Sequence, residues 1–379
     1  MKPNISINPL LIITTFCSSL LLSCSSTNTP KVSASIELSA AEQLGKTLFF
    51  DSRLSSPEGQ SCASCHSPQH GFSQPNQQLA TAESATKKLF GNRNVPSIAY
   101  IKYTPEFHKV IEENEPLYIG GFFLDGREAT LEKQAIKPIL NPVEMGIANE
   151  QALIRKIKNL GYEKTFNEVY GKDSLSNTKT AIKNISQAIA DYERSKELSP
   201  FNSKYDAYLA KKTPLTRQEL RGLNLFNDEK KGNCAACHPS EKDKDTGFPP
   251  LFTDYTYDNL GVPFNTNNPF LTNPKIFNEQ GSNYRDKGLG EAINDPTQNG
   301  KFKVPTLRNI ALTAPYMHNG VFKTLEEVVD FYNTRDTNSK WDTPEVTANV
   351  NKDELGDLKL TKSEVKDIVA FLKTLSDNY

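Results

Sequence analysis

Tryptophan occurs once in this 379-residue chain, methionine three times and histidine five times. With so few of these side chains, each can be followed individually as a possible metal ligand or electron carrier. Neither sign of charge is in excess: 44 Lys and Arg face 45 Asp and Glu, a net charge of −1. That balance gives no reason to expect nucleic acid or an acidic membrane surface as partner. Alternating strand patterns are scarce. Long apolar runs are missing too, apart from residues 10–22, which are too short for a comfortable membrane span. No cysteine is left over for a disulfide. Of six, Cys17 and Cys24 fall in the first 24 residues, and the other four form two close pairs.

The N-terminus reads as an export signal. Lys2 precedes the apolar run, and Leu21-Leu22-Ser23-Cys24 closes it. This ending resembles a bacterial lipoprotein signal, with residues 1–23 removed and Cys24 lipidated. Residues 24–36, rich in Ser, Thr, Asn and Pro at their start, then form a flexible tether. Ser25 after the cysteine favours the outer membrane by the same resemblance. The expected location is the periplasmic side, with the membrane touched only through the lipid.

What is present is a repeat. Leu38-Ser39-x-x-Glu42-x-x-Gly45-x-x-Leu48-Phe49 recurs as Leu215-Thr216-x-x-Glu219-x-x-Gly222-x-x-Leu225-Phe226. Each copy opens with a Ser/Thr-x-x-Glu capping box and continues with helical apolar spacing. Each leads into Cys-x-x-Cys-His: Cys62, Cys65 and His66, then Cys234, Cys237 and His238. The helices are offset by 177 residues and the cysteines by 172, a five-residue loop difference. Later apolar stripes can close each copy: Ile182, Ile185, Ile189 and Tyr192 in the first, Val365, Ile368, Leu372 and Leu375 in the second. The chain divides near Ser199-Pro200 into residues 37–200 and 201–379. The aperiodic stretch 239–299 suits a loop wrapped around a prosthetic group. The expected class is all-α: two cytochrome c-like domains with long loops, each enclosing one haem.

Cys-x-x-Cys-His has this spacing because two thiols add to the two vinyl groups of one haem, and the adjacent histidine reaches the iron. Function then depends on the sixth position of each iron. Electron transfer wants His or Met there; peroxide activation wants an open position with an acid/base group above it.

Together, several segments resemble the bacterial di-haem cytochrome c peroxidase/MauG family over nearly the whole mature chain. They are Ser61–His66, Gly91-Asn92-Arg93-Asn94-Val95-Pro96, Phe123-Leu124-Asp125-Gly126-Arg127, Gln134, Asn141-Pro142-Val143-Glu144-Met145, the second Cys-x-x-Cys-His, and residues 304–318 ending in Pro315-Tyr316-Met317-His318. The resemblance implies a peroxidatic N-terminal haem with Glu144 and Gln134 above it and Pro138 lining the pocket. Glu144 would move the peroxide proton, and Gln134 would orient peroxide or the carboxylate. It also implies Ca2+ held by Asn94, Thr313 and Pro315, for which oxygen donors are suitable.

Three departures qualify the resemblance. The family's blocking histidine lies eight residues before the asparagine matched by Asn94, where this chain has Thr86. His70 and His108 are substitutes by residue type alone, so the N-terminal haem is expected to be open in the diferric state. Fourteen residues after His318 the classical methionine is replaced by Tyr332, as in MauG-like members. Tyr332 is the expected second ligand of the C-terminal haem, with Met317 as the alternative and packing within the Leu325, Val328, Tyr332 stripe as the plain reading. The interhaem tryptophan of the family is Leu124 here, and Trp341, late in the chain, reads as packing.

The resemblance implies an enzyme that reduces hydrogen peroxide at the N-terminal haem, with electrons passed through the C-terminal haem from a small cytochrome c or cupredoxin. A MauG-like alternative spends the peroxide-derived oxidising equivalents on a side chain of a partner protein. Tyr332 and Thr86 favour that alternative, and Leu124 counts against it. A plain electron-transfer cytochrome is a third reading, opposed by Glu144 and Gln134.

Overall fold

The computed structural model describes residues 37–378. The signal, the tether and the lipidation site at Cys24 lie outside them. The described chain is helical with long loops, in the order α1 Ala40–Phe50, α2 Cys62–Cys65, α3 Leu131–Leu140, α4 Glu150–Asn159, α5 Glu163–Tyr170, α6 Thr178–Glu193, α7 Lys204–Leu209, α8 Arg217–Phe226, α9 Leu289–Ala292, α10 Leu325–Thr334 and α11 Lys362–Lys373. The all-helical expectation takes one amendment. Two small antiparallel pairs are present, β1 His108–Glu112 with β2 Glu115–Ile119, and β3 Tyr257–Asp258 with β4 Phe302–Lys303. In the second pair Tyr257 stands opposite Lys303.

The capping boxes form as the sequence dictates. Ser39 Oγ accepts from Glu42 N–H at 3.3 Å and starts α1; Thr216 Oγ1 accepts from Glu219 N–H at 3.2 Å and starts α8. In both, the glutamate returns a bond to the cap N–H at 2.7 Å, so two otherwise orphaned backbone donors are satisfied at each start.

The repeat is also a repeat in packing. Helix α1 lies on α6, and α8 lies on α11. The glycine common to both copies explains how closely they cross. A Cβ on Gly45 would stand 1.8 Å from the Ala188 carbonyl oxygen, and one on Gly222 would stand 1.9 Å from that of Asp367. Only hydrogen fits at either crossing. The predicted stripes face these contacts: Ile185, Ile189 and Tyr192 are buried on α6, and Val365, Ile368 and Leu372 on α11. One apolar cluster gathers Leu44, Leu48, Ile136, Leu153, Phe166 and Ile185. A second gathers Tyr205, Phe226, Phe252, Phe331, Ile368 and Phe371. The intervening loops are pinned by polar bonds across the chain, among them Tyr100 Oη to Asp377 at 2.7 Å and Gln77 Nε2 to the Leu312 carbonyl at 2.9 Å.

Candidate active site

Both Cys-x-x-Cys-His motifs open into one continuous cavity of about 450 Å³. At the first motif, Ser61 caps the single turn of α2, which carries Cys62 and Cys65, and His66 follows at its end. His66 Nδ1 bonds the Phe72 carbonyl at 3.0 Å. At the second motif, His238 Nδ1 bonds the Phe252 carbonyl at 2.7 Å. A carbonyl only accepts, so Nδ1 carries the proton in each ring and Nε2 keeps its lone pair. Burial pushes both imidazoles below their ordinary pKa, His238 to about 4, so both rings are neutral near pH 7. The four motif thiols are unpaired. Burial raises all of them, Cys65 and Cys234 to about 12, which keeps them protonated. Two neutral, oriented imidazoles, each beside two free thiols in a shared cavity, fit two covalently attached haems.

On the first side, helix α3 supplies Gln134 and Pro138. Four residues apart, they share a helix face, and both line the cavity. The chain then folds back on the end of that helix. Met145 N–H bonds the Pro138 carbonyl at 3.1 Å, Gly146 N–H bonds Asn141 at 2.9 Å, and Ile147 N–H bonds Ile139 at 2.9 Å. This turn brings Glu144 to the same wall. Its own carbonyl is held by Ala85 N–H at 2.8 Å and Ser84 Oγ at 3.1 Å. Burial raises the Glu144 carboxyl above its ordinary range, opposed by the Arg127 charge and an Asn141 hydrogen bond. Arg127 stacks on Phe123, with 3.5 Å between guanidinium carbon and ring centroid, and is paired with Asp125 at 2.9 Å.

His66, His238 and His318 line the cavity, whereas His70 and His108 do not. His70 is turned to Ser67 Oγ at 3.2 Å, and His108 is exposed on β1 with its Nδ1 on the Glu106 carbonyl at 2.8 Å. Thr86 is exposed. The substitute histidines are therefore not brought together with the first motif.

On the second side, Tyr332 from α10 and Met317 both line the cavity with His238. The Tyr332 hydroxyl stands 3.9 Å from the Met317 sulfur. Burial holds the phenol well above its ordinary pKa. His318 is fixed by Glu345 at 3.0 Å and stacks on Phe302 with centroids 3.9 Å apart. Trp341 packs on Phe322 and Phe331. Leu124 also lines the cavity.

Asn94 is buried, and its Nδ2 donates to the Pro315 carbonyl at 2.5 Å, while its Oδ1 has no partner. Thr313 is buried in the same segment and bonds the Ile310 carbonyl through its hydroxyl at 3.2 Å. Turning the Asn94 amide over would aim its oxygen where the Pro315 carbonyl points, so the donor set is compatible with a hard cation.

Several residues in this wall had no role in the sequence reading. Arg93 is held between Asp125 at 2.7 Å and Asp286 at 2.6 Å, and Arg93 pulls Asp286 down to about 2 against its burial. Gln60 Nε2 reaches Cys65 Sγ at 3.4 Å. Glu193, at the end of α6, is buried with Oε2 unpartnered, and burial raises its carboxyl to about 8. The family segments contain Arg93, and helical periodicity places Glu193 next to the Ile189 face. Nothing in the sequence marks Gln60.

The comparisons with known proteins agree with this geometry. Residues 39–214 match the family model described as di-haem cytochrome c peroxidase. The chain is 35% identical over 356 residues to methylamine utilization protein MauG of Paracoccus denitrificans, covering 89% of each. It is 32% identical to cytochrome c551 peroxidase of Nitrosomonas europaea, covering 88% of this chain and 79% of that one. The crystal structure of the diheme peroxidase BthA from Burkholderia thailandensis superposes with a TM-score of 0.78 at 33% identity, covering 90% and 87% of the two chains. This chain is a peroxide-using oxidoreductase with two c-type haems, and it belongs to the di-haem cytochrome c peroxidase/MauG family.

Proposed function

We propose that the protein reduces hydrogen peroxide to water at the haem carried by Cys62, Cys65 and His66. Electrons would enter through the haem carried by Cys234, Cys237 and His238, with residues 37–200 and 201–379 as the two haem domains. The observation that supports this reading best is a raised, half-buried carboxyl at Glu144 beside Gln134 and Pro138, in a wall free of His70 and His108. A c-type haem with an open iron position supplies the metal that binds peroxide and takes part in cleaving it. Glu144 accepts a proton from the entering peroxide and returns it to the departing oxygen. The Gln134 amide orients the carboxylate or the peroxide, and Pro138 excludes water from one side. Tyr332 would be the second ligand of the C-terminal iron, with loss of its proton on binding; Met317 stands beside it as the alternative. Asn94, Thr313 and Pro315 would hold Ca2+ through oxygen.

Steady-state turnover of peroxide by a reduced small cytochrome or cupredoxin tests the reading. E144Q should lose on the order of 10²- to 10⁴-fold in activity while keeping both haem spectra. Unchanged turnover would reject it.

A MauG-like reading, in which the oxidising equivalents alter a partner protein's side chain, is favoured by the match to Paracoccus MauG along 89% of both chains. Recovery of a covalently altered partner after peroxide treatment would promote it. Location on the periplasmic side, tethered at Cys24, belongs to the same proposal. Among the described residues no helix is long and apolar enough to cross a membrane.

A further inference from the structure

Four cations line the cavity, and three of them have a carboxylate. Arg93 has Asp125 and Asp286, Arg127 has Asp125 at 2.9 Å, and Arg308 has Asp206 at 2.7 Å. Lys303 is different. It is the second residue of β4, and its N–H bonds the Leu124 carbonyl at 2.8 Å. The ammonium donates to the Gly121 carbonyl and stands 5.8 Å from the centre of the Phe122 ring. The nearby acid, Asp125, is already taken by Arg93 and Arg127. Among the described residues no carboxylate lies within 4 Å of the Lys303 nitrogen, although the side chain is half-buried in the cavity wall.

An ammonium with three donors, sunk beside one carbonyl and one ring, is expensive to leave without a counter-charge. The described residues supply none, so the occupant of the cavity is the remaining source. Haem carries its own negative groups, two propionate carboxylates, and it is otherwise apolar. The geometry points to Lys303 as a propionate-binding residue that holds one of the two haems beside Leu124. This inference rests on the two-haem assignment and not on the peroxidase reading.

The position is compatible with either haem. From β4 the chain passes to Val304, whose carbonyl accepts from Thr253 Oγ1 at 2.7 Å. Thr253 follows Phe252, the residue that orients His238. Gly121 and Leu124, which hold the other side of Lys303, belong to the loop that leads to Arg127 and on to Gln134. Without a counter-ion, burial lowers the Lys303 amine to about 7. A propionate alongside restores the charge, and a fixed positive charge at a haem edge favours the ferrous state over the ferric.

The test is spectroelectrochemistry of the two-haem holoprotein, comparing wild type with K303R and K303M. Resonance-Raman spectra of the propionate-bending bands are recorded on the same samples. K303M should lower the midpoint potential of one haem and leave the other near its wild-type value. K303R should keep the potential close to wild type while moving the propionate band. A shift confined to the haem reached through His66 assigns the propionate to that group, and a shift confined to the His238 haem assigns it to the other. Potentials and propionate bands unmoved in both variants would overturn the inference. If K303M does not take up both haems, the K303R Raman band decides alone. An inactive E144Q leaves this outcome unaffected.

Discussion

The hydroxyl of Tyr332 and the thioether of Met317 meet at 3.9 Å on the wall that also presents His238. Two candidate ligands for the same iron are thus neighbours, and small movements of either would decide which binds. A phenolate is hard and anionic and favours ferric iron, whereas a thioether favours ferrous iron. With Tyr332 as ligand, Y332F should raise the C-terminal haem potential by on the order of 0.1 V or more and change its ferric spectrum. M317L should leave that spectrum intact. The reverse pattern would assign the iron to Met317.

The role proposed for Glu144 would give the peroxide reaction a pH dependence with a definite sign. As acceptor of the peroxide proton it works only when ionised. Burial raises its pKa above the ordinary carboxylate range. The second-order rate with peroxide should therefore rise with pH through that raised value and level off above it. In E144Q the rate should be low, and this inflection should be lost. Stopped-flow rates across the acid-to-neutral range check both points.

Glu193 gives stability a pH dependence. Its carboxyl is buried with one oxygen unpartnered, and its folded pKa lies near 8, above the unfolded value. The folded state therefore binds the extra proton, and the stability it contributes is fully present below about pH 4. That contribution is lost as pH rises through about 8. At pH 9 the penalty is on the order of 3–5 kcal/mol. E193Q should unfold at a higher temperature than wild type at pH 9 and differ little at pH 5. Equal shifts at both pH values would contradict this.

The paired glycines give a matched pair of stability predictions. G45A would drive a methyl into the Ala188 carbonyl, and G222A would drive one into that of Asp367. Since backbone cannot move aside cheaply, each should cost on the order of 2–4 kcal/mol. Denaturant unfolding measures it, and a cost below about 1 kcal/mol in either would show that the helices can part.

The helices carrying the repeat were legible because their signals are local. Ser39 and Glu42, or Thr216 and Glu219, are three residues apart, and their bonds form within one turn. The stripes ending at Tyr192 and Leu372 were legible for the same reason. Gly45 and Gly222 were visible as a repeated letter, but their reason was not, since Ala188 and Asp367 are far away in sequence. The first motif and the Gln134–Glu144 segment could be placed side by side only through family resemblance. The structure reaches that neighbourhood through a turn folded onto α3. Lys303 escaped notice because its burial comes from a loop at Gly121 that has no periodicity. An unpaired charge becomes visible only once its surroundings are known.

An N-terminal haem open to peroxide at rest, as proposed, is tested most directly by stopped-flow optical spectroscopy. Untreated diferric protein is mixed with hydrogen peroxide. An open site should give an immediate haem absorbance change that a reduced donor then reverses. No reaction until one haem has first been reduced would contradict it and would mean that a protein side chain occupies the sixth position.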